Sequence, residues 1–235
     1  AIPLISLQYH DVRVSFKFAN LEDCIHKRDG FNTIPHSCNM FSANLMVDYV
    51  FMDTEERRSM AQDTHEYLIE QLQYTVENIP MGNTTSNINL CFNHPVKELI
   101  WAIEEKTTKT LPFTFKKLQI SDGDCETTED ETFIRAKLQI NGHDRMCNQD
   151  AEYYRLMMPF QRHSRIPGTP IYCYSFALKP EDPNPTGTIN MSRVDMARMN
   201  LEMKPSVIDR QFHTFARNYN VLKVQSGMAG LAFSN

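Results

Sequence analysis

At 235 residues, 41% hydrophobic and 23% charged, the chain is long enough for one sandwich domain, or one domain and part of another. It can bury roughly 70% of its unfolded surface without covalent staples. A formal net charge of -5 and a pI near 5.9 argue against direct binding of nucleic acid, which needs clustered Lys and Arg against the phosphates.

The opening Ala1-Ile2-Pro3-Leu4-Ile5 lacks the basic residues and apolar length of a secretory signal. A start without methionine, inside a strand-like run, reads as the back part of a longer polypeptide. No segment approaches the ~18 apolar residues of a spanning helix. Residues 4–18 read as one strand, with Val12, Val14, Phe16 and Phe18 alternating against Asp11, Arg13, Ser15 and Lys17. The mixed stretch 19–43, with Asp29-Gly30 and Pro35, reads as a linker. Residues 45–52 suggest a second strand. Asp53 then suits a helix N-cap, with Glu55 and Glu56 at the positive end of the dipole.

Residues 65–75 return to strand, with Tyr67, Ile69 and Gln71 opposite Leu68, Glu70 and Leu72. Pro80, Gly82 and the polar run to Asn87 make a loop. Ile88, Leu90 and Phe92 start a strand that His94-Pro95 interrupts and residues 96–103 continue, with the lone Trp101. Leu111, Phe113 and Phe115 make a short strand, and residues 122–131, six acids without a base, read as a solvated loop. Ile134, Ala136, Leu138 and Ile140 alternate with polar neighbours and run into Asn141-Gly142, the dipeptide of a type I′ hairpin turn.

Residues 171–178 form a strand with no charge on either face, which implies cover on both. Residues 179–187, with three prolines and a glycine, must loop. Thr188 onward can pair back on the preceding strand. Met199, Leu201 and Met203 mark one face of a strand at 196–203. Residues 221–224 are the last clear strand, and Gly227 and Gly230 permit close approach or bulges. Eight to ten short strands with turns between them predict an all-β sandwich or jelly roll, with one or two short helices.

YSFALKPED and PTGTINMSRVD, within residues 171–195, resemble the signature near the carboxyl end of the major capsid proteins of nucleocytoplasmic large DNA viruses. AIPLISLQYHDVRV at 1–14, residues 53–73, FNHPVKELIW at 92–101 and residues 218–235 agree with it in the same order. The resemblance implies the second roll of a double jelly-roll capsid protein: residues 1–20 as the closing strand of a preceding roll, 21–44 as linker and 45–235 as the carboxyl-terminal jelly roll. It implies a homotrimeric, pseudo-hexagonal capsomer tiling an icosahedral virion shell assembled in the host cytoplasm. Its partners would be neighbouring capsomers, minor capsid proteins and an inner membrane reached through other proteins, with no direct nucleic acid. Residues 21–44 match the family pattern only loosely. The competing readings are a monomeric sugar-binding or cupin-like jelly roll, and a minor capsid paralogue.

The residues offer little chemistry against that background, and no catalytic, cofactor-binding or metal residue is expected. Cys24, Cys38, Cys91, Cys125, Cys147 and Cys173 form no CxxC pair and read as reduced thiols. No two of the eight histidines stand as HxH or HxxxH; His143 and Cys147 are four apart without a second pair. Adjacent Glu55 and Glu56 do not face across a cleft as glycosidase carboxylates do. His163 near Ser164 and His213 near Thr214 are neighbours in sequence only. Tyr153, Tyr154, Tyr172 and Tyr174 suit a core better than a sugar platform. Asn83 in NTT and Asn190 in NMS fit the glycan acceptor pattern, and Asn83, in a loop, is the candidate.

Overall fold

The computed structural model describes residues 2–18, 42–105 and 131–233. Two compact units divide it: residues 1–67 with 222–231, and residues 68–221 with 232–235. The expected strand around Leu111 and nearly all of the acidic run 122–131 lie outside the described residues, as does most of the expected linker.

The second unit is a sandwich. Its strands are β1 (His65–Ile79, the first three residues of which fall in the first unit), β2 (Thr85–Asn89), β3 (Pro95–Glu105), β4 (Arg135–Ile140), β5 (His143–Asp150), β6 (Tyr172–Ser175), β7 (Ile189–Asn190), β8 (Ala197–Glu202) and β9 (Arg210–Gln225, the last four residues of which fall in the first unit). One sheet runs β1-β9-β3-β6 and the other β2-β8-β4-β5, with the short β7 paired to β3. With β7 set aside, consecutive strands alternate between sheets except at the β4–β5 hairpin, and the chain nests inward as a jelly roll does. The all-β jelly-roll expectation therefore holds.

The core follows from the alternation. Along β3, Leu99, Trp101 and Ile103 face inward opposite Ala216, Thr214 and Phe212 of β9. Leu99 and Trp101 also register with Tyr174 and Tyr172 of β6. From the other sheet come Ile88, Ala136, Leu138, Met199 and Leu201, all buried. Trp101 lies edge-on to Tyr154 at 5.1 Å and stacked on Tyr172 at 6.2 Å. Aromatic rings in such offsets add to their burial. The four tyrosines of the sequence reading thus divide into three core residues and the half-buried Tyr153.

Local turn chemistry matches the sequence at the hairpin. Asn141 and Gly142 have φ of +50° and +80° between β4 and β5, as a type I′ turn requires. Between β5 and β6 a π-helical turn at Tyr153–Met157 leads into the short helix α2 (Met158–Arg162). Pro159 has no N–H to give and its ring crowds the carbonyl four residues back, so the wider turn ahead of it accommodates it.

Several expectations are corrected in the second unit. His94-Pro95 does not interrupt one strand: it carries the chain from one sheet to the other, with His94 at φ +65°. Thr188 onward does not return on β6, because β7 pairs with β3 at Val96↔Ile189 instead. The last long strand begins at Arg210, well before residue 221.

The first unit holds the helix α1 (Thr54–Gln62), a 3-10 turn at Leu4–Ser6, and β10 (Met228–Leu231) paired with the Leu222–Gln225 end of β9. Asp53 caps α1 as expected, accepting from the N–H groups of Glu55 and Glu56. Ser6 Oγ donates to the Met60 carbonyl at 2.6 Å, and Tyr9 N donates to the Gly227 carbonyl at 3.0 Å. The strands expected at 4–18 and 45–52 are absent: residues 7–18 and 42–53 have the right alternation but no ladder partner among the described residues. A strand is defined by its hydrogen-bonded neighbour, and alternation alone does not supply one.

Candidate functional site

The sheet β1-β9-β3-β6 has a second face, turned away from the core. On β3 and β9 it carries the register pairs Glu98↔Arg217, Ile100↔Phe215 and Ala102↔His213. On β1 it carries Glu70, Leu72 and Tyr74: Glu70 bonds Arg217, and Tyr74 stacks on Phe215 at 4.7 Å. Successive contacts Gln71–Asn220, Tyr74–His213 and Asn78–Gln211 descend β9 as β1 ascends, so the two strands are antiparallel.

One part of this face is apolar and open. Leu68, Leu72, Tyr74 and Val76 alternate along β1 and are exposed, Leu72 by 61%. Tyr74 is fixed by its hydroxyl, 2.7 Å from His213 Nδ1, while His213 Nε2 lies 3.3 Å from Glu104 Oε2. Burial, followed by the Glu104 charge, raises the Tyr74 pKa, so the phenol stays neutral. A row of apolar side chains presented to solvent by a rigid sheet is a contact surface in waiting.

The other part is charged and buried. Lys97 and Glu98 are both 0% exposed, and buried charges persist only when paired. Lys97 Nζ pairs with Glu70 Oε1 and lies 5.2 Å from the Tyr219 ring centroid. Arg217 bridges two carboxylates, Nη1 to Glu98 Oε1 at 2.6 Å and Nη2 to Glu70 Oε2 at 2.7 Å. Burial works to raise the Glu70 pKa, but Lys97 and Arg217 outweigh it and hold the carboxyl below its ordinary value. The other oxygen of Glu98 faces His163 Nε2 at 3.2 Å. Lys97 and Glu98 sit together across a bulge, since the β3–β9 register shifts between Val96 and Glu98.

Sequence reasoning missed this cluster. Its signal was PVKELIW: two charges inside an otherwise apolar run of a strand covered on both faces, which demands buried partners. The acidic run was also misread at its end, since the Glu131 side chain is only 8% exposed. It takes Arg155 Nε at 2.5 Å and the Tyr172 hydroxyl at 2.6 Å, next to the aromatic core.

The residues weighed for chemistry are scattered. His143 and Cys147 share β5, about 13 Å apart for an extended chain, and both are exposed. Among the described residues no group of three or more His, Cys, Asp or Glu could hold a metal ion. Glu55 and Glu56 lie in the first turn of α1. His163 and His213 meet different carboxylates, and Ser164 donates to Glu181. Asn83 is exposed in the turn between β1 and β2, whereas the Asn190 side chain is occupied as the cap of a 3-10 turn. An open groove of about 450 Å³ lies between Ile140, His143, Asp144 and Arg145 on one side and Phe176, Thr188 and Ile189 on the other. Its Asp144 is committed to Lys137 and Gln139. No helix among the described residues is long and apolar enough to cross a membrane.

The profile of the family described as "Large eukaryotic DNA virus major capsid protein" matches residues 56–230, and that of "Major capsid protein N-terminus" matches residues 1–53. The major capsid protein of Pyramimonas orientalis virus is 40% identical over 244 residues, covering 100% of this chain and 58% of the relative. That of Paramecium bursaria Chlorella virus 1 is 34% identical over 281 residues, covering 100% of this chain and 63% of the relative. Among solved structures, the quasi-atomic model of the PBCV-1 virus capsid superposes with a TM-score of 0.65 at 33% identity, over 80% of this chain and 56% of that one. The Faustovirus major capsid protein superposes with a TM-score of 0.55 at 15% identity, over 68% of this chain and 34% of that one, a likeness of fold alone. The chain therefore spans about 60% of the length of these two curated relatives.

Proposed function

The chain belongs to the major capsid proteins of large eukaryotic DNA viruses, and from that membership we propose that it is the carboxyl-terminal part of a shell subunit. In this reading residues 45–235 are the second jelly roll, residues 1–20 close a first roll in the same polypeptide, and residues 21–44 link them. Three polypeptides form a trimer of pseudo-hexagonal outline that tiles an icosahedral virion shell, assembled in the host cytoplasm. Its partners are neighbouring capsomers, minor capsid proteins and, through those, an inner membrane. The net charge of -5 supports a subunit that leaves the genome to other proteins. Its work is adhesion, and no residue is assigned a catalytic role.

The observation that carries the reading is apolar surface with no cover of its own. In the first unit Val12, Val14, Phe16 and Phe18 are exposed, and so are Leu45, Met46, Val47, Tyr49, Val50 and Phe51, the last by 93%. In the second unit the Leu68, Leu72, Tyr74 and Val76 row adds to it. Permanent assemblies bury large apolar interfaces, and such a density of exposed Phe, Val and Leu is what their separated parts present. A first jelly roll packed on the segments 7–18 and 42–53 would supply the ladder partners they lack.

Sedimentation of the full-length polypeptide tests this. The expected species has three times the chain mass and is unchanged by chelator or added sugar. A stable monomer that takes up metal or glycan would overturn the shell reading in favour of a binding module.

A further inference from the structure

The loop 179–187 is fastened to the sheet through one imidazole. His163, at the C-terminal end of α2, faces a carboxylate with each ring nitrogen: Nε2 lies 3.2 Å from Glu98 Oε2, and Nδ1 lies 3.4 Å from Glu181 Oε1. The two carboxylates differ in kind. Glu98 is on β3, fully buried, with its other oxygen held by Arg217. Glu181 is in the loop and half exposed, and it also accepts from Ser164 N at 3.1 Å and Ser164 Oγ at 3.2 Å. A neutral imidazole has one N–H and one lone pair; only the imidazolium offers a proton on both sides.

We propose that His163 is a proton-operated latch: as the imidazolium it clamps the 179–187 loop to the outer face of the sheet, and on losing a proton it releases the loop. The release has a direction. The proton that remains belongs on Nε2, which faces Glu98 Oε2 at 3.2 Å, a buried oxygen that accepts no hydrogen bond, whereas Glu181 can turn to water. Nδ1 then turns a lone pair toward Glu181, and the repulsion falls on the loop.

The surrounding charges leave His163 as the group that titrates. From β3 and β9 come Lys97, Glu98 and Arg217, and from β1 Glu70, all locked in ion pairs. The Cys173 thiol of β6 is pushed up to about 12 by burial and then by the Glu98 charge, so it stays neutral. Burial also raises the Tyr219 phenol, which feels Glu70 and the loop's Asp182. On the helix side, Arg162 donates to the Leu178 carbonyl at 3.5 Å. Glu181 is held below its ordinary value, first by the Ser164 N–H, and is ionised throughout. The Glu98 carboxylate, against the opposing effect of burial, raises the His163 pKa above the ordinary 6.5. For a group raised on folding, the contribution is complete below the ordinary value and is lost as pH climbs through the raised one. The latch is thus closed in mild acid and opens toward alkaline pH.

The inference rests on these contacts and not on the shell reading, so it stands or falls whether the full-length protein is trimeric or monomeric. Hydrogen–deuterium exchange of the full-length protein, corrected for intrinsic pH-dependent rates, tests it. Peptides spanning 178–188 are expected to lose protection severalfold between about pH 6 and about pH 9 as the imidazolium gives up its proton, while β4 and β5 stay unchanged. His163→Gln and Glu181→Gln should each leave the loop equally protected at both pH values. Glu181 is on the surface, so Glu181→Gln decides the matter should His163→Gln fold poorly. A flat wild-type profile, or a pH step that survives either substitution, would overturn the latch.

Discussion

Residues 45–51 and residues 134–140 are written in the same alphabet, apolar side chains every second position, yet they end in opposite states. The second run becomes β4, bonded to β5 and β8, with Ala136 and Leu138 buried. The first forms no ladder and leaves Met46 and Phe51 more than nine-tenths exposed. The difference is the neighbour. Asn141-Gly142 brings a partner strand to β4 within two residues, so its backbone groups are satisfied locally. Residues 45–51 have no such turn, and their pairing waits on a surface that the described residues do not provide.

The comparison is sharpest when the same kind of cut is made in both regions. Trp101→Ala, in the core between Tyr154 and Tyr172, should cost about 3–5 kcal/mol. Phe51→Ala should stay within about 0.5 kcal/mol in the isolated chain. Chemical denaturation of both variants checks this; a large loss from Phe51→Ala would mean that its side chain is covered within the chain after all.

A smaller contrast uses one turn geometry in two places. Gly142 and Gly227 both have φ near +80°, but a Cβ on Gly142 meets open space while one on Gly227 falls 2.6 Å from Tyr9 Cδ2. Gly142→Ala should carry only the backbone penalty, about 1 kcal/mol. Gly227→Ala should exceed it by displacing the Tyr9 ring, and thermal melts of the pair measure the excess.

The smallest effect is expected at α1. Asp53→Ala removes the acceptor for two N–H groups and should cost roughly 1 kcal/mol. Asp53→Asn should restore most of it, which a plain loss of charge would not predict.

Much of the sandwich was legible in the residues. The I′ hairpin, the cap at Asp53, the buried stripe Met199, Leu201 and Met203 and the charge-free strand around Tyr172 all rest on interactions between near neighbours, or on burial that alternation reports directly. The outer face of the sheet was not legible. Lys97, Glu98, Arg217, Glu70 and His163 come from four elements spread over 148 residues, as Glu70 and Arg217 mark its ends, and no spacing rule connects them. The loop 179–187, which its prolines and glycine mark only as a loop, is tied down by Glu181 for the same reason.

What the sequence determined by itself was the Asn141-Gly142 turn, the Asp53 cap and the jelly-roll class, because backbone preference and side-chain period act over a few residues. The tertiary structure alone decided which strand pairs with which, that β7 joins β3 and not β6, and that four charges and a histidine close over one another. Those outcomes depend on long-range register, where the free energy of burying a charge is recovered only once distant partners have met.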